Sequence, residues 1–321
     1  MRRRGEALRS LPERFLRSAL LWLSHRRFLG RVATATPLTR PFVKRFVAGE
    51  SLAEALPSLR RLTDAGFHST VDVLGESVTS AEAARSAADS YLETLDALAG
   101  AGLDRNVSVK LSQMGLGIDP ELCRENVARI VRRAADLEAF VRIDMEDHTT
   151  TDRTLQLHRA LWAEHRNVGV VIQAALRRSA VDIDRLIADG VRVRLCKGAY
   201  KEPASVAFAG KDEVDLNYAV LMERLLREGT YPAIATHDER LIRRAIALVR
   251  RERIGPDRFE FQMLYGVRRD LQEKLVAANF TVRVYVPFGR EWYPYFMRRM
   301  AERPANVMFV VRNVFGERRR G

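Results

Sequence analysis

The side chains of this sequence that could do chemistry gather where apolar runs end. Lys110 lies in the run 107–112, and Asp144, Glu146 and Asp147 close the run 141–146. Gln173 stands near the end of 169–174, and Arg194 and Lys197 lie within 191–197. Thr236, His237 and Asp238 close 233–238, Gln262 sits in 259–264, and Tyr285 sits in 281–287. Alone, each has a plainer explanation. Asp144, Glu146 or His237 could be a satisfied core polar group or a loop cap, Lys197 a turn residue before Gly198, and Arg192 or Arg194 a salt-bridge partner. Charged groups in strands buried on both faces are costly unless paired or used, however, and their recurrence at one end of run after run points to a shared site. A second cluster follows: Tyr295, Arg298, Arg299 and Glu302, after Trp292, Tyr293 and Pro294. Adjacent arginines can hold a carboxylate by forked hydrogen bonds, and Glu302, at i+3 or i+4, can orient one of them; in isolation the pair reads as a solvated basic face.

Positioning such a site requires a repeating scaffold. Eight strand candidates, the seven runs above and 69–74, alternate with helical segments such as 81–99, 120–138, 151–165, 180–189, 214–228 and 238–251. Strict alternation with short loops argues a parallel sheet with crossover helices, and eight repeats argue closure. The expected fold is α/β, a (β/α)8 TIM-like barrel with extra N-terminal helices. Residues 1–60 read as an N-terminal helical segment ending in a connector with Pro37, Pro41 and Pro57. Residues 61–305 read as the catalytic barrel with its final helix, and 306–321 as a basic tail. An open doubly wound sheet is the competitor. No GxGxxG follows any strand, so the Rossmann dinucleotide signal is missing and a dinucleotide would have to bind another way.

The chain has 321 residues, 47% hydrophobic and 30% charged, enough apolar material for one large core. Cys123 and Cys196 are its two cysteines, far apart and without metal-ligand spacing, so no disulfide framework and no metal site are expected and a reducing cytoplasm fits. The apolar run 15–23, interrupted by Arg17, is too short to span a bilayer. The net charge of +13 sits at the ends: residues 1–31 hold nine arginines against two glutamates, and 312–321 four arginines against one. That distribution argues against nucleic-acid binding, which would interleave basic and aromatic residues on one folded element. Leu8, Leu11, Phe15, Leu16, Ala19, Leu20 and Leu23 recur at helical spacing among the arginines. Such a basic amphipathic helix can pack on the catalytic body or lie on an anionic membrane surface.

The stretches VSVKLSQMG (107–115), FVRIDMED (140–147), VIQA (171–174), VRLCKGAY (193–200), ATHD (235–238), FEFQMLYG (259–266), VYVPFG (284–289) and YFMRRMAERP (295–304) resemble those of the proline dehydrogenases, in the same order. The resemblance runs from about Val107 to Pro304 and is to the small monofunctional bacterial branch, since no aldehyde dehydrogenase domain follows. It implies FAD as cofactor and oxidation of L-proline to 1-pyrroline-5-carboxylate. Hydride would pass from proline C5 to flavin N5, and electrons onward to a membrane quinone. By motif match, Met145, Gln173, Arg194, Lys197, Gly198, Ala199, Thr236 and His237 fall on FAD-binding positions. Lys110, Asp144, Leu264, Tyr285, Arg298, Arg299 and Glu302 fall on the substrate side, with Asp144 and Arg194 the catalytic candidates. Tyr285 at its matching position implies a preference for proline over 4-hydroxyproline. A cytoplasmic enzyme touching the inner face of the membrane through residues 1–31 would suit a quinone acceptor. Two other readings stand beside this one: an aldolase using Lys110 or Lys197 as a Schiff-base nucleophile, and a non-enzymatic basic adaptor resting on the termini.

Overall fold

The computed structural model describes the backbone from Arg40 to Glu302 and side chains from Val43 to Met297. Eight strands form a closed barrel in chain order: β1 (His68–Val73), β2 (Asn106–Val109), β3 (Phe140–Ile143), β4 (Val168–Gln173), β5 (Val193–Cys196), β6 (Ala233–Ala235), β7 (Glu260–Leu264) and β8 (Val282–Phe288). The pairings between successive strands are parallel, as at Val109 with Ile143 and at Leu264 with Tyr285. The expected (β/α)8 barrel is therefore present, and the open doubly wound sheet is excluded.

Helices α1 (Arg40–Phe46) and α2 (Leu52–Asp64) precede the strands. The crossovers are α3 (Ala81–Gly100), α4 (Pro120–Asp136), α5 (Thr151–Glu164), α6 (Ser179–Ala188), α7 (Lys211–Glu228), α8 (Glu239–Glu252) and α9 (Arg269–Ala277), with α10 (Trp292–Glu302) after β8. Local chemistry starts several of them. The Ser80 side chain accepts from Ala83 N, Asp119 caps α4 ahead of Pro120, and the Asp238 carboxylate accepts from Arg240 N at the start of α8. Pro41 and Pro57, which the sequence pattern puts in a connector, lie in helices instead. Pro41 is in the first turn of α1, where no N–H is needed, and Pro57 is inside α2. The fully buried Ala55 and Leu59 on α2 offset the hydrogen bond that Pro57 removes.

The described residues form two compact units. In the smaller, residues up to Ala55 meet those from Pro287 onward: Ala48 N donates to Pro287 O at 2.9 Å and Gly289 N to Gly49 O at 3.0 Å. There the Trp292 indole donates to Glu50 at 3.1 Å, and Phe46 and Phe296 pack with ring centroids 6.1 Å apart. The larger unit, 56–286, holds the barrel sheet up to Val286 and its crossover helices. Its apolar core lies between sheet and helices, where Val170, Ile172, Val193, Leu195 and Ile234 pack with Ile183, Tyr218, Met222, Leu225 and Leu248.

The lumen is filled differently. Barrel interiors ordinarily stack branched aliphatic side chains; this one buries Thr70, Asp72, Ser108, Arg142, Arg194, Glu260, Gln262 and Arg283. Deep in it, Glu260 accepts two hydrogen bonds from Arg283 Nε at 3.0 Å each, and Arg283 Nη1 reaches Ser69 O at 2.8 Å, tying β8 to β1. Burial works to raise the Glu260 pKa, but Arg283 outweighs it and holds the carboxyl below its usual range. Replacing Glu260 by Gln leaves Arg283 buried without this partner, and destabilisation of about 3–5 kcal/mol is expected in urea unfolding. Adding Arg283→Met should recover part of that loss; equal stability of Glu260→Gln and the parent would contradict the pairing.

Candidate active site

The C-terminal ends of the strands hold a network that crosses the lumen. Arg194 on β5 donates from Nη1 to Asp144 Oδ1 at 2.8 Å and from Nη2 to Ser108 Oγ on β2 at 2.9 Å. Tyr285 on β8 donates to Asp144 Oδ2 at 2.9 Å, and the Arg194 guanidinium lies 5.3 Å from the Tyr285 ring centroid. Lys110, just past β2, donates to Asp72 Oδ1 at 2.7 Å and to the Tyr285 hydroxyl at 3.4 Å, and stands 3.9 Å from Asp144. Tyr91 on α3 reaches in from outside, donating to Ser108 O at 2.7 Å. Burial works to discharge Lys110, but Asp72 and Asp144 outweigh it and raise its pKa, so its amine stays an ammonium. Burial, then Asp144, pushes the Tyr285 phenol well above its usual range. Both groups keep their protons at neutral pH, and Lys110 is thereby unsuited to Schiff-base nucleophilic attack.

A second group flanks the network. Gln173 at the end of β4 donates to Glu146 O at 2.7 Å, while the Glu146 carboxylate accepts from Ser112 N at 2.8 Å and from Ser112 Oγ. Met145 and Thr236 are buried, and Thr236 Oγ1 accepts from Asp238 N at 3.1 Å. His237 Nε2 accepts from Leu264 N at 2.9 Å, which places the proton of the neutral ring on Nδ1 and joins the ends of β6 and β7. Lys197, one residue past β5, is paired with Asp238 at 2.9 Å and with Asp215 on α7. Gly198 follows with φ +112°, and a Cβ there would lie 3.0 Å from Ala175 Cβ and 3.1 Å from Gln173 Oε1. Only glycine suits that backbone, which together with Ala199 is exposed and open to close approach by a ligand.

Lys110, Asp144, Arg194 and Tyr285 are thus directly bonded, and Met145, Gln173, Lys197, Gly198, Thr236, His237 and Leu264 lie on the same strand ends. Arg298, Arg299 and Glu302 fall on α10, but their side chains lie outside the described residues, as do the whole of 1–31 and the C-terminal tail. The strand ladders stop short of the expected runs. β2 ends at Val109, β3 at Ile143 and β6 at Ala235, and the side chains of Lys110 and Asp144, which directly follow β2 and β3, join the network at the mouth. Sequence reasoning passed over Asp72, Ser108, Tyr91 and Asp215. Asp72 and Ser108 carried a usable signal, each being a polar residue inside a buried strand. Tyr91 and Asp215 sit on helices, where a polar side chain reads as solvated.

Four buried atoms of the mouth and lumen have no hydrogen-bond partner among the described residues: Arg194 Nε, Gln262 Oε1, Asp72 Oδ2 and Arg142 Nε. Unengaged polar atoms in a buried site call for a ligand or water. Among the described residues there is no group of three His, Cys, Asp or Glu fit to hold a metal ion, and no helix long and apolar enough to cross a membrane.

Comparison with known proteins agrees with this geometry. The family model for proline dehydrogenase matches residues 55–312. The chain is 40% identical over 299 residues to proline dehydrogenase 1 of Bacillus subtilis subsp. natto, covering 93% of this chain and 99% of that protein. It is 44% identical over 278 residues to the proline dehydrogenase of Deinococcus radiodurans, covering 84% and 89%. Among solved structures, proline utilization A (PutA) from Bdellovibrio bacteriovorus, inactivated by N-propargylglycine, superposes with a TM-score of 0.77 at 28% identity. That match covers 82% of this chain and 33% of the PutA chain.

Cys196, at the end of β5, is the one thiol close to the network. Burial pushes it up to about 12 against the pull of Arg194, and burial likewise pushes Cys123 up to about 12. At pH 8 the thiolate fraction of either is on the order of 10⁻⁴. Iodoacetamide should therefore label the native protein far more slowly than the urea-unfolded chain. Rapid labelling of Cys196 in the native state would contradict a buried, protonated thiol there.

Proposed function

The chain belongs to the proline dehydrogenase family, and we propose that it oxidises L-proline to 1-pyrroline-5-carboxylate with FAD as its cofactor and a membrane quinone as final acceptor. The observation that carries this reading is the Arg194 guanidinium, locked across the lumen by Asp144 and Ser108 with Nε still unengaged. A fixed cation at that place favours a ligand that becomes anionic on reduction. The residues fit a flavin dinucleotide in two further respects. Gly198 leaves bare backbone beside Lys197, and Gln262 and Arg194 offer a free acceptor and a free donor. Met145, Gln173, Arg194, Lys197, Gly198, Ala199, Thr236 and His237 would hold the cofactor. When bound, FAD supplies the two-electron chemistry, its N5 being the hydride acceptor for proline C5.

The chain's own residues then bind and orient the amino acid. Arg298 and Arg299, with Glu302 orienting one of them and Lys110 assisting, hold the carboxylate by charge-assisted hydrogen bonds. Leu264 and Tyr285 pack the pyrrolidine ring. Asp144 organises the protons around the substrate amine: both its oxygens already accept, from Arg194 and from Tyr285, so it is held as an oriented carboxylate. Residues 1–31, basic and amphipathic, would face the membrane that holds the quinone.

The purified protein should be yellow, and anaerobic L-proline should bleach its flavin absorbance, with recovery on adding a soluble quinone analogue. A colourless protein, or a flavin that proline leaves oxidised, would remove the proposal. Replacing Arg298 or Arg299 by Met should raise KM for proline by roughly two orders of magnitude, about the loss of one charged hydrogen-bonding partner. Unchanged KM in both single variants would place the carboxylate elsewhere.

A further inference from the structure

Lys197 is held more firmly than a lysine that merely waits for a ligand. Asp215 Oδ1 and Asp238 Oδ2 both accept from its ammonium, the latter at 2.9 Å. The two carboxylates are themselves anchored. Asp215 Oδ2 accepts from Lys211 and, at 3.2 Å, from Arg240, and Asp238 Oδ2 accepts from the same Arg240 Nη2 at 3.3 Å. Three cations and two carboxylates therefore form one lattice at the ends of β5 and β6. The first turns of α7 are pinned beneath it: Asn217 donates to Ala174 O at 2.7 Å, at the end of β4, and Tyr218 donates to Leu195 O at 3.2 Å, on β5. Asp215 stands two residues before Asn217 and so has little freedom to move. Burial works to raise the Asp215 pKa, but hydrogen bonds from Lys197 and Lys211 outweigh it and hold it lower, so it is ionised at neutral pH.

We propose that Asp215 is a positioning residue, which fixes the Lys197 ammonium in the place where the cofactor meets it; this rests on the FAD reading above. A free lysine side chain loses rotamer entropy when it engages a ligand, whereas a pre-formed pair has already met that cost during folding. Asp238 shares the work but also caps α8, so its removal would disturb the helix as well as the lysine. Asp215 isolates the effect.

The sign of the effect separates positioning from simple charge. FAD carries an anionic pyrophosphate, so by Coulomb's law deleting a carboxylate near its site should tighten binding. If Asp215 acts by holding Lys197, deleting it should loosen binding. The test is release of FAD on dilution of the holoenzyme, followed by recovery of flavin fluorescence. The parent would be compared with Asp215→Asn, Asp215→Glu, Lys197→Met, the double variant, and Asp184→Asn, a carboxylate paired with Arg224 on the outer helices. Asp215→Asn is expected to release FAD about tenfold more readily, as for loss of one charged hydrogen bond. Asp215→Glu should restore much of the affinity, Asp184→Asn should match the parent, and the double variant should be no worse than Lys197→Met alone. The assignment is overturned if Lys197→Met loosens FAD while Asp215→Asn holds it as tightly as the parent or tighter. It is also overturned if the two losses simply add. If Lys197→Met itself leaves FAD release unchanged, the cofactor role of Lys197 fails, and the role of Asp215 with it.

Discussion

The interior of this barrel is organised around one carboxylate. Asp144 follows β3, yet its two oxygens accept from β5 through Arg194 and from β8 through Tyr285, with Lys110, just past β2, at 3.9 Å. A closed sheet of eight short strands excludes most water from its lumen, so a charge placed there must find its counter-charge across the barrel. Asp144 meets that condition for Arg194, Asp72 meets it for Lys110, and Glu260 meets it for Arg283 further down. Loss of Asp144 would leave Arg194 with Ser108 as its remaining side-chain hydrogen-bond partner among the described residues and would take from Tyr285 the acceptor of its hydroxyl proton, so orientation and electrostatics at the mouth depend on the same atoms.

A polar lumen is compatible with a stable fold because the cohesion of the larger unit lies elsewhere. The apolar face of each strand points outward, where a continuous core of Val, Ile, Leu, Phe and Tyr packs under the crossover helices. At roughly 25 cal/mol per Å² of apolar surface, that layer supplies the main stabilising contribution and leaves the inner face free to carry chemistry. The inner face has its own packing demands. Gly169 on β4 gives way to Arg142 from β3: a Cβ at this position would lie 2.7 Å from the guanidinium and 2.5 Å from Arg192 O. The glycine among the valines and isoleucine of β4 is thus explained by a neighbour's charge.

Eight strands and six crossover helices were legible because the alternation of apolar runs with amphipathic segments is a local signal, repeated without interruption. Lys110, Asp144, Arg194 and Tyr285 were legible for a related reason, since polar groups inside doubly buried runs stand out against their surroundings. α1 and α2 were obscured by Pro41 and Pro57: Pro41 is compatible with the first turn of α1, and the preference of Pro57 is overridden by the burial of Ala55 and Leu59. Pairing was not legible at all. Nothing in the order of residues says that Ser108 meets Arg194 eighty-six positions away, or that Asp215, on a helix rich in solvated charges, turns toward Lys197. Such contacts follow from closure of the barrel, which brings non-neighbouring strands within hydrogen-bond reach.

Pairing in the lumen is also incomplete, and the remainder has a definite sign. Lys110 pairs with Asp72, Arg194 with Asp144, and Arg283 with Glu260 and Asp104. Arg142 is the one without a carboxylate bonded to it. Its Nη1 donates to the backbone carbonyls of Val170 and Arg192, its guanidinium lies 4.9 Å from the Phe140 ring centroid, and its Nε has no hydrogen-bond partner among the described residues. Burial, then repulsion from Arg194, pushes its pKa well below the usual arginine range. Such a group costs stability, and a fold optimised only for stability would replace it with an apolar side chain of similar volume. Its presence puts a guanidinium with no bonded carboxylate in surroundings of low dielectric, where a field decays slowly. The direction of that field favours anions entering at the mouth.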